Sequence, residues 1–249
     1  MNSKQNLVFR AAMVFLVCSV AGLNGCKRIH GRPGPDPEVP RPEQVLSFDV
    51  LYKQNCAACH GENGQHGASL ALNNPVYLAV AREENLRNVI AKGAPSTLMP
   101  PFAIGSGGTL TDQQVGILTR GMVERWSTPA ISLQTPPPYR SELQGDAQRG
   151  HQAFASFCSR CHGASGEGGS IPEMPAAGKV GSIVDPAYLA LMSDQGLRSI
   201  VIAGRSDEGM PDWRSDGAQA MTDQQITDIL SWLASQRVAD PGQPYRSHP

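Results

Sequence analysis

Hydrophobic residues recur at steps of three, four and seven positions in two stretches of the chain, which predicts two helices that each bury one apolar face. Each stretch follows a threonine and, three positions later, a glutamine: Thr111 with Gln114, and Thr222 with Gln225. This spacing is the pattern of an N-terminal capping box. The predicted core positions of the two helices are Val115, Leu118, Met122, Ile226, Ile229, Leu230 and Leu233.

Two further apolar stretches precede Cys56 and Cys158, and we expect a helix in each that ends at the cysteine. The residues assigned to their buried faces are Phe48, Leu51, Tyr52, Phe154 and Phe157. The chain also holds 20 prolines and 26 glycines. That content favours irregular segments between short helices over an extended sheet.

Proline-rich polar segments separate the apolar stretches and indicate where domains end. Residues 26–44 contain five prolines and no apolar periodicity, which is typical of an extended tether. Residues 128–144, with three consecutive prolines, are interpreted as a linker, and residues 239–249 as a C-terminal tail.

The amino terminus has the pattern of an export signal. Lys4 and Arg10 precede an uncharged apolar run that extends from Ala11 to Leu23. That length fits the apolar part of a signal peptide and is short of the roughly 20 residues that span a bilayer. We therefore expect residues 1–25 to be a signal peptide and the protein to be exported to the periplasmic side of a bacterial membrane.

The residues that end this run, Leu-Asn-Gly followed by Cys26, resemble the lipobox of bacterial lipoproteins. The resemblance implies acylation of Cys26 and a lipid anchor, although Asn24 stands where the lipobox usually has a smaller residue. Ordinary signal cleavage nearby, with Cys26 as an idle thiol, is the alternative.

Composition narrows the class of protein. A hydrophobic content of 40% against 17% charged residues excludes disorder as the state of the whole chain. The formal charge is -1 and the pI is near 6.6. These values disfavour nucleic-acid binding, which needs a strongly basic surface.

Four cysteines form two C-x-x-C-H motifs, Cys56-Ala-Ala-Cys59-His60 and Cys158-Ser-Arg-Cys161-His162. Covalent c-type haem attachment needs this spacing, because two thiols join the haem and the following histidine ligates the iron. A zinc site or a redox dithiol would also use paired cysteines. Two such motifs in an exported chain, with no further cysteine pair after them, favour haem and leave no pair for a disulfide.

The chain repeats itself, with two different offsets. The smaller offset is the one that separates His60 from His162 in the haem motifs, and the larger is the one that separates Met99 from Met210. The two offsets differ by nine positions, so the second copy has nine additional residues, near 170–181. We assign domain 1 to residues 45–127 and domain 2 to residues 145–238. The segments that recur at the larger offset begin at Asn74, Leu86, Met99 and Leu110, and in the second copy at Asp185, Leu197, Met210 and Met221.

Each copy resembles class I (mitochondrial-type) cytochrome c, through its C-x-x-C-H motif and a downstream methionine followed by proline. The resemblance implies an all-α fold with two tandem haem-binding domains and two covalently bound haems. It also implies that His60 and Met99 ligate one iron, and that His162 and Met210 ligate the other. A methionine ligand favours ferrous iron and raises the potential.

In that family, a proline carbonyl beyond the motif orients the ligand histidine. Domain 2 provides Pro172 or Pro175 at this place, whereas domain 1 has Ser69 and Leu70. The partner of His60 therefore stays open.

Other residues compete for the role of second iron ligand. The competing methionines are Met122, Met174, Met192 and Met221. Met122 is expected to fill the core, and Met174 follows His162 too closely to reach easily around a haem. His66 and His151 have no counterpart in the repeat and are interpreted as surface residues. Either one replaces a methionine ligand if the methionine assignment is wrong.

Charge differs between the copies. Domain 1 has six acidic and six basic side chains, whereas domain 2 has eleven acidic and seven basic ones, a net charge of -4. Acidic residues surround Met210, and no charge lies near Met99. One hypothesis is an acidic rim on domain 2 that binds a basic redox partner, with apolar docking on domain 1. A generally solvated acidic face is the alternative.

Two functions fit these patterns. The first is a lipid-anchored electron carrier between a quinol:cytochrome c reductase or periplasmic dehydrogenase and a terminal oxidase or another cytochrome. In this interpretation the protein is not an enzyme by itself, although it can be a subunit of a respiratory complex. The second is a dihaem enzyme such as a cytochrome c peroxidase or a thiosulfate dehydrogenase-like protein. The enzyme needs an iron with an open or unusual coordination position, which two methionine ligands disfavour.

Overall fold

The computed structural model of the protein describes residues 39–95, 97–128, 136–170, 179–214 and 219–238. The predicted signal peptide, Cys26 and most of the tether lie outside these residues. So do the first part of the linker, Pro172, Met174, Pro175 and the C-terminal tail.

Among its described residues, domain 1 contains four α-helices: α1 (Phe48–Asn55), α2 (Ala57–His60), α3 (Pro75–Lys92) and α4 (Asp112–Trp126). Short 3-10 turns at Pro42–Gln44 and Ile104–Ser106 accompany them. Helix α3 is interrupted by the non-helical backbone of Arg82, at φ 57° and ψ 161°.

The described part of domain 2 repeats this order with five helices: α5 (Ala147–Phe157), α6 (Ser159–His162), α7 (Pro186–Leu191), α8 (Asp194–Ala203) and α9 (Asp223–Ser235). Helices α7 and α8 together correspond to α3, because Ser193, which caps α8, is the counterpart of Arg82 at the larger repeat offset. A 3-10 turn at Ser206–Glu208 follows α8.

The prediction of an all-α fold is right for most of the described chain but misses one strand pair. Strands β1 (Gly169–Ser170) and β2 (Lys179–Val180) pair antiparallel, with Gly169 opposite Val180. They enclose most of the insertion predicted near 170–181. The two ends of the insertion are therefore joined by this short ladder. Because the ends lie side by side, the helices before and after the insertion keep the order that they have in domain 1.

The predicted capping boxes are confirmed at the start of α4 and α9. In α4 the Gln114 backbone N–H donates to Thr111 Oγ1 at 3.2 Å, and the Thr111 N–H donates to Gln114 Oε1 at 2.9 Å. The Thr222 and Gln225 pair repeats both bonds at the same distances. All seven predicted core positions of these helices are buried.

The first helix of each domain packs on the last, and aromatic residues fill the crossing. In domain 2, Phe154 is fully buried and its ring lies 4.4 Å from that of Trp232. In domain 1, Tyr52 and Phe48 contact Trp126 edge to face, at 5.3 and 5.7 Å between ring centroids. Burying one such ring contributes about 1.5–3 kcal/mol.

A glycine allows each crossing to be close. In domain 1, a Cβ on Gly121 of α4 would lie 2.2 Å from the Phe48 ring of α1. In domain 2 the glycine is on the opposite helix: Gly150 of α5 faces α9, and its Cβ would lie 2.0 Å from the Asp228 carbonyl oxygen and 2.9 Å from Trp232 Cβ.

The described end of the linker, residues 136–144, forms no helix or strand and is attached to both domains. Arg198 Nη2 of α8 donates to the Pro138 carbonyl at 2.8 Å, and Gln195 Nε2 donates to the Tyr139 carbonyl at 2.8 Å. Tyr139 is itself buried, and its side chain interacts with that of the buried Tyr77 in domain 1. The residues from Pro42 onward cluster as one compact unit that includes both domains.

Among the residues that the structure describes, no helix has the length and apolar character required to cross a membrane.

Candidate haem-binding sites

Each C-x-x-C-H motif is a single helical turn at the end of the first helix of its domain. Helix α1 ends before Cys56, and α2 then carries the motif to His60. The His60 N–H donates to the Cys56 carbonyl at 3.0 Å, and the His162 N–H donates to that of Cys158 at the same distance. Both cysteines and the histidine of a motif are therefore held on one compact turn in both domains.

The motif thiols do not have the properties of a redox dithiol. None of the four described cysteines is paired in a disulfide. Burial, together with the neighbouring cysteine of the motif, raises the pKa of Cys56 to about 12 and that of Cys158 to about 12. Redox-active C-x-x-C motifs instead lower the pKa of the first thiol.

The ring of His60 is fixed by the loop that follows it. Nδ1 donates to the Leu70 carbonyl at 2.8 Å, which leaves Nε2 for a metal. Burial lowers the pKa of His60, the bond to Leu70 opposes this, and the positive charge of Arg205 adds to the lowering. The imidazole is therefore neutral, as an iron ligand must be. Leu70 thus supplies the carbonyl that the family resemblance assigns to a proline.

The ring of His162 is also buried, and burial lowers its pKa. Within the described chain, its buried Nδ1 has no hydrogen-bond partner. The predicted partners Pro172 and Pro175 lie outside the described residues, so this expectation stays a prediction.

Both predicted methionine ligands lie on loops that are built alike. Gly93 and Gly204 end helices α3 and α8 with φ of 73° and 69°. The next residue then bonds back to the methionine: the Ala94 N–H donates to the Met99 carbonyl at 3.1 Å, and the Arg205 N–H to that of Met210 at 3.0 Å. The two glycines escaped the sequence analysis, although they recur at the same offset as the two methionines.

Burial separates these methionines from Met122 and Met221, whereas Met192 is partly buried as they are. Met122 and Met221 lie in the hydrophobic core, at 1% and 7% exposure, and the assignment of Met122 to the core is confirmed. Met99 and Met210 are only partly buried. Their loops therefore leave the sulfur atoms available to a ligand.

The competing histidines are engaged at the surface. The side chain of His66 is 59% exposed, and Nδ1 lies 3.3 Å from Glu208 Oε1 of domain 2. His151 is exposed on α5 and contacts the Trp232 ring. Their interpretation as surface residues is confirmed.

Part of the proposed acidic rim around Met210 is already paired within the protein. Asp207 binds Arg205 and accepts from the His66 N–H at 2.9 Å, and Glu208 pairs with the His66 ring. Asp212 binds Arg214 with Nε to Oδ1 at 3.0 Å. The fourth residue, Asp216, lies outside the described chain. Asp207 and Glu208 therefore serve the contact with domain 1.

The surface near Met99 is apolar and open. The side chains of Leu98 and Ile104 are 76% and 60% exposed. Exposed apolar groups of this kind beside a candidate iron ligand suit contact with another protein.

The described side chains fit covalently attached haem better than zinc or a disulfide. His66, Asp207 and Glu208 form the one described cluster of potential ligands close enough to hold a metal ion. That cluster lies outside both motifs, and Arg205 already neutralises part of its charge. Each motif itself offers two thiols and an imidazole whose Nδ1 is either hydrogen-bonded or buried, the donor set of c-type haem.

Comparisons with known proteins agree with this donor set. Residues 147–237 match the family model described as cytochrome c, and residues 43–120 match that of cytochrome C oxidase, cbb3-type, subunit III. The cbb3-type oxidase subunit FixP of Rhizobium meliloti (strain 1021) is 30% identical over 126 residues, which is 47% of this chain and 38% of that protein.

Subunit CcoP of an Azospirillum species (strain B510) is 24% identical over 137 residues, 53% of this chain and 45% of that protein. This chain thus spans less than half the length of these curated relatives. The solved Kuenenia stuttgartiensis reducing HAO-like protein complex Kustc0457/Kustc0458 aligns with a TM-score of 0.42 at 16% identity, over 81% of this chain and 100% of that one. From the motif geometry and the two family matches together, the chain contains two cytochrome c domains, whose cofactor is covalently bound c-type haem.

Proposed function

We propose that this protein is a dihaem electron carrier that delivers electrons to a terminal oxidase or another cytochrome. The observation that carries the proposal is the repetition of a complete donor set: each domain has one C-x-x-C-H turn and one methionine loop of the same construction. In this assignment His60 and Met99 hold one iron, and His162 and Met210 hold the other. When bound, each haem supplies a centre that gains or loses one electron.

The residues around each centre suit electron transfer rather than substrate chemistry. Two protein ligands on each iron would leave no coordination position for a substrate. The Leu70 carbonyl fixes the orientation of His60. Met99 and Met210 favour the reduced iron and so raise the potential.

The curated relatives support a terminal oxidase as the acceptor, since they are named as subunits of cbb3-type cytochrome c oxidases. The donor is then a quinol:cytochrome c reductase or a periplasmic dehydrogenase. Extraction of the intact protein from membranes with mild detergent tests this. We expect oxidase subunits to co-purify with it, and their absence would contradict the acceptor assignment.

Haem content and ligation are tested on the purified protein. We expect two covalent haems per chain by pyridine haemochrome assay, and one in the variants Cys59→Ser and Cys161→Ser. The oxidised spectrum should show one equivalent of the weak methionine-to-iron band per haem. Met99→Leu should remove half of the band, whereas Met122→Leu, in the core, should leave it unchanged. A high-spin signature at either haem would contradict the carrier function.

We further propose that the protein is exported and anchored by lipid on Cys26. The lipobox-like residues before Cys26 and the apolar run before them support this. Cys18 lies within the predicted signal peptide and serves as the control. Labelling of cells with a fatty-acid probe should mark the wild type and the Cys18→Ser variant. Labelling that persists in Cys26→Ser would exclude this cysteine as the lipid site.

A further inference from the structure

The methionine loop of domain 2 lies against the loop that follows the haem motif of domain 1. Asn74 Nδ2 donates to the Ala203 carbonyl at 2.8 Å, and the His66 N–H donates to Asp207 Oδ2 at 2.9 Å. On one side, His66 and Asn74 follow His60 closely in the sequence; on the other, Ala203 and Asp207 closely precede Met210. The interface therefore joins the histidine side of one site to the methionine side of the other.

Arg205 contacts both sides of this interface. Its backbone forms two hydrogen bonds with that of Met210, at 3.0 and 2.9 Å. Its Nη2 donates to the Gly67 carbonyl of domain 1 at 3.2 Å. Gly67 is in direct contact with the haem motif, because a Cβ there would lie 2.3 Å from the Cys59 carbonyl oxygen and 2.5 Å from the His60 carbonyl carbon. One arginine thus links Met210 to the backbone of His60.

The guanidinium of Arg205 is shielded from solvent and paired. Its side chain is 17% exposed, and that of Asp207 is 3% exposed. Nε lies 3.0 Å from Asp207 Oδ1, and Nη2 lies 3.0 Å from Oδ2. Two opposite charges with little screening by water therefore lie between the two sites, where each charge acts strongly on its surroundings.

We propose that Arg205 is a positioning residue that couples the two haem sites: it holds the Met210 loop on the His60 loop and balances the charge of the buried Asp207 carboxylate at the contact between the two sites. This inference rests on the proposed dihaem function. One electron moves between the centres, with no bond made or broken, so the residue acts through distance and charge. By compensating the negative charge of Asp207, Arg205 also raises the reduction potential of the His60 haem, because a positive charge nearby favours the reduced iron.

Opposite charge changes at this pair give opposite results. Arg205→Gln removes a positive charge and leaves Asp207 uncompensated, so the ratio of reduced to oxidised His60 haem at a fixed potential should fall about three- to tenfold. Asp207→Asn should raise the same ratio, and Arg205→Lys should restore most of the loss in Arg205→Gln. A purely structural role predicts no such change of sign.

Arg214→Gln is the matched control. Arg214 pairs with Asp212 in domain 2, and its described contacts stay within that domain. The variant should therefore leave the His60 haem unchanged. Redox titration of the purified dihaem protein measures both centres, which are assigned with Met99→His and Met210→His, since a second histidine ligand lowers the potential of its own haem. Flash reduction should also show slower electron exchange between the domains in Arg205→Gln than in Arg214→Gln.

Two outcomes overturn the inference. Unchanged titration of the His60 haem in both Arg205→Gln and Asp207→Asn, with two haems present, refutes it and leaves the proposed function intact. A haem content other than two per chain refutes the proposed function, and the inference falls with it.

Discussion

Domain 1 and domain 2 cross their first and last helices at equivalent positions, but the large and small residues of the contact are exchanged between helices. Domain 1 places Phe48 on the first helix against Gly121 on the last. By the smaller repeat offset, Gly150 is the domain 2 counterpart of Phe48, and by the larger offset Trp232 is that of Gly121. The geometry of the crossing is therefore kept while the residues that produce it are not.

The polar contacts at the crossing differ as well. In domain 2, Arg149 of α5 binds the buried Asp228 of α9 with Nε and Nη2, both at 2.9 Å. In domain 1, an exposed pair between Asp49 and Arg125 joins the corresponding helices. A buried and fully bonded carboxylate is costly to disturb, whereas an exposed pair contributes little. We conclude that the domains share a fold but depend on different interactions.

The largest effect is expected from alanine at the crossing glycines. In Gly150→Ala the new Cβ meets the Asp228 backbone, which cannot move without shifting α9, so domain 2 should lose about 3 kcal/mol of stability. In Gly121→Ala the atoms nearest to the new Cβ belong to the Phe48 ring, which can shift, so the loss should be about half as large. Guanidinium unfolding of the haem-loaded protein measures both.

Second substitutions then separate the two domains. In the Phe48→Ala background, Gly121→Ala should become stabilising by up to about 1 kcal/mol, because the clash is gone and alanine favours the helix. Trp232→Ala should fail to rescue Gly150→Ala, because the backbone clash with Asp228 persists. Two results would contradict the exchange of large and small residues between the helices. One is that Trp232→Ala restores the stability of Gly150→Ala, and the other is that Gly121→Ala stays destabilising in the Phe48→Ala background.

The next effect concerns Asp228 and its response to acid. Burial raises the pKa of this carboxyl, but the bonds from Arg149, the Asp146 backbone and Gln224 outweigh it, so the pKa is lower than usual. The stabilisation is then present above the unfolded-state pKa of about 3.9 and is lost as the pH falls through the lower folded-state pKa. Asp228→Asn should cost domain 2 about 2 kcal/mol at neutral pH and flatten its stability profile in acid.

Asp49→Asn in domain 1 is the matched control, since its side chain is 71% exposed. It should cost less than about 1 kcal/mol. Equal effects of the two substitutions in pH-dependent unfolding would show that burial of Asp228 does not matter.

The smallest effect is expected at the helix caps. Asn74 caps α3 by accepting from the Val76 N–H at 2.9 Å, and its amide also donates to domain 2, whereas Asp185 caps α7 with no described bond to domain 1. Serine caps helices well. Asn74→Ser therefore keeps the cap and loses the bond between domains, at a cost of about 1 kcal/mol.

Asp185→Ser also replaces a helix cap by serine, but Asp185 has no described bond to the other domain, so the loss of stability should be only a few tenths of a kcal/mol. Thermal unfolding monitored separately at each domain should show the transitions moving apart only in Asn74→Ser. Transitions that stay together would argue against a contribution of Asn74 to the contact.

The elements that the sequence predicted well have local signatures. The capping boxes at Thr111 and Thr222 and the apolar stripes of α4 and α9 are spaced within single helices, so periodicity alone reveals them. The exchange of large and small residues between the helices can also be inferred from the sequence, because the two repeat offsets align Phe48 with Gly150 and Gly121 with Trp232.

Other features leave no trace in the pattern of side chains. The partner of His60 is the backbone carbonyl of Leu70, and every residue has a carbonyl. The contact between domains uses Arg205, Asn74 and a main-chain N–H, which read as ordinary polar surface in the sequence. Such contacts depend on how separate segments meet in space, and one sequence does not encode that in its spacing.

The attachment of Pro138 and Tyr139 to α8 has a consequence for encounters between the domains. Pro138 follows Thr128, just after α4, by ten positions, and a fully extended chain of that length spans about 35 Å at most. Two domains on so short a connection face each other at an effective concentration in the millimolar range. Even an interface with a millimolar intrinsic dissociation constant would then be formed about half of the time, so the few polar bonds of Asn74, His66 and Arg205 have little left to supply to keep the two domains in one compact unit.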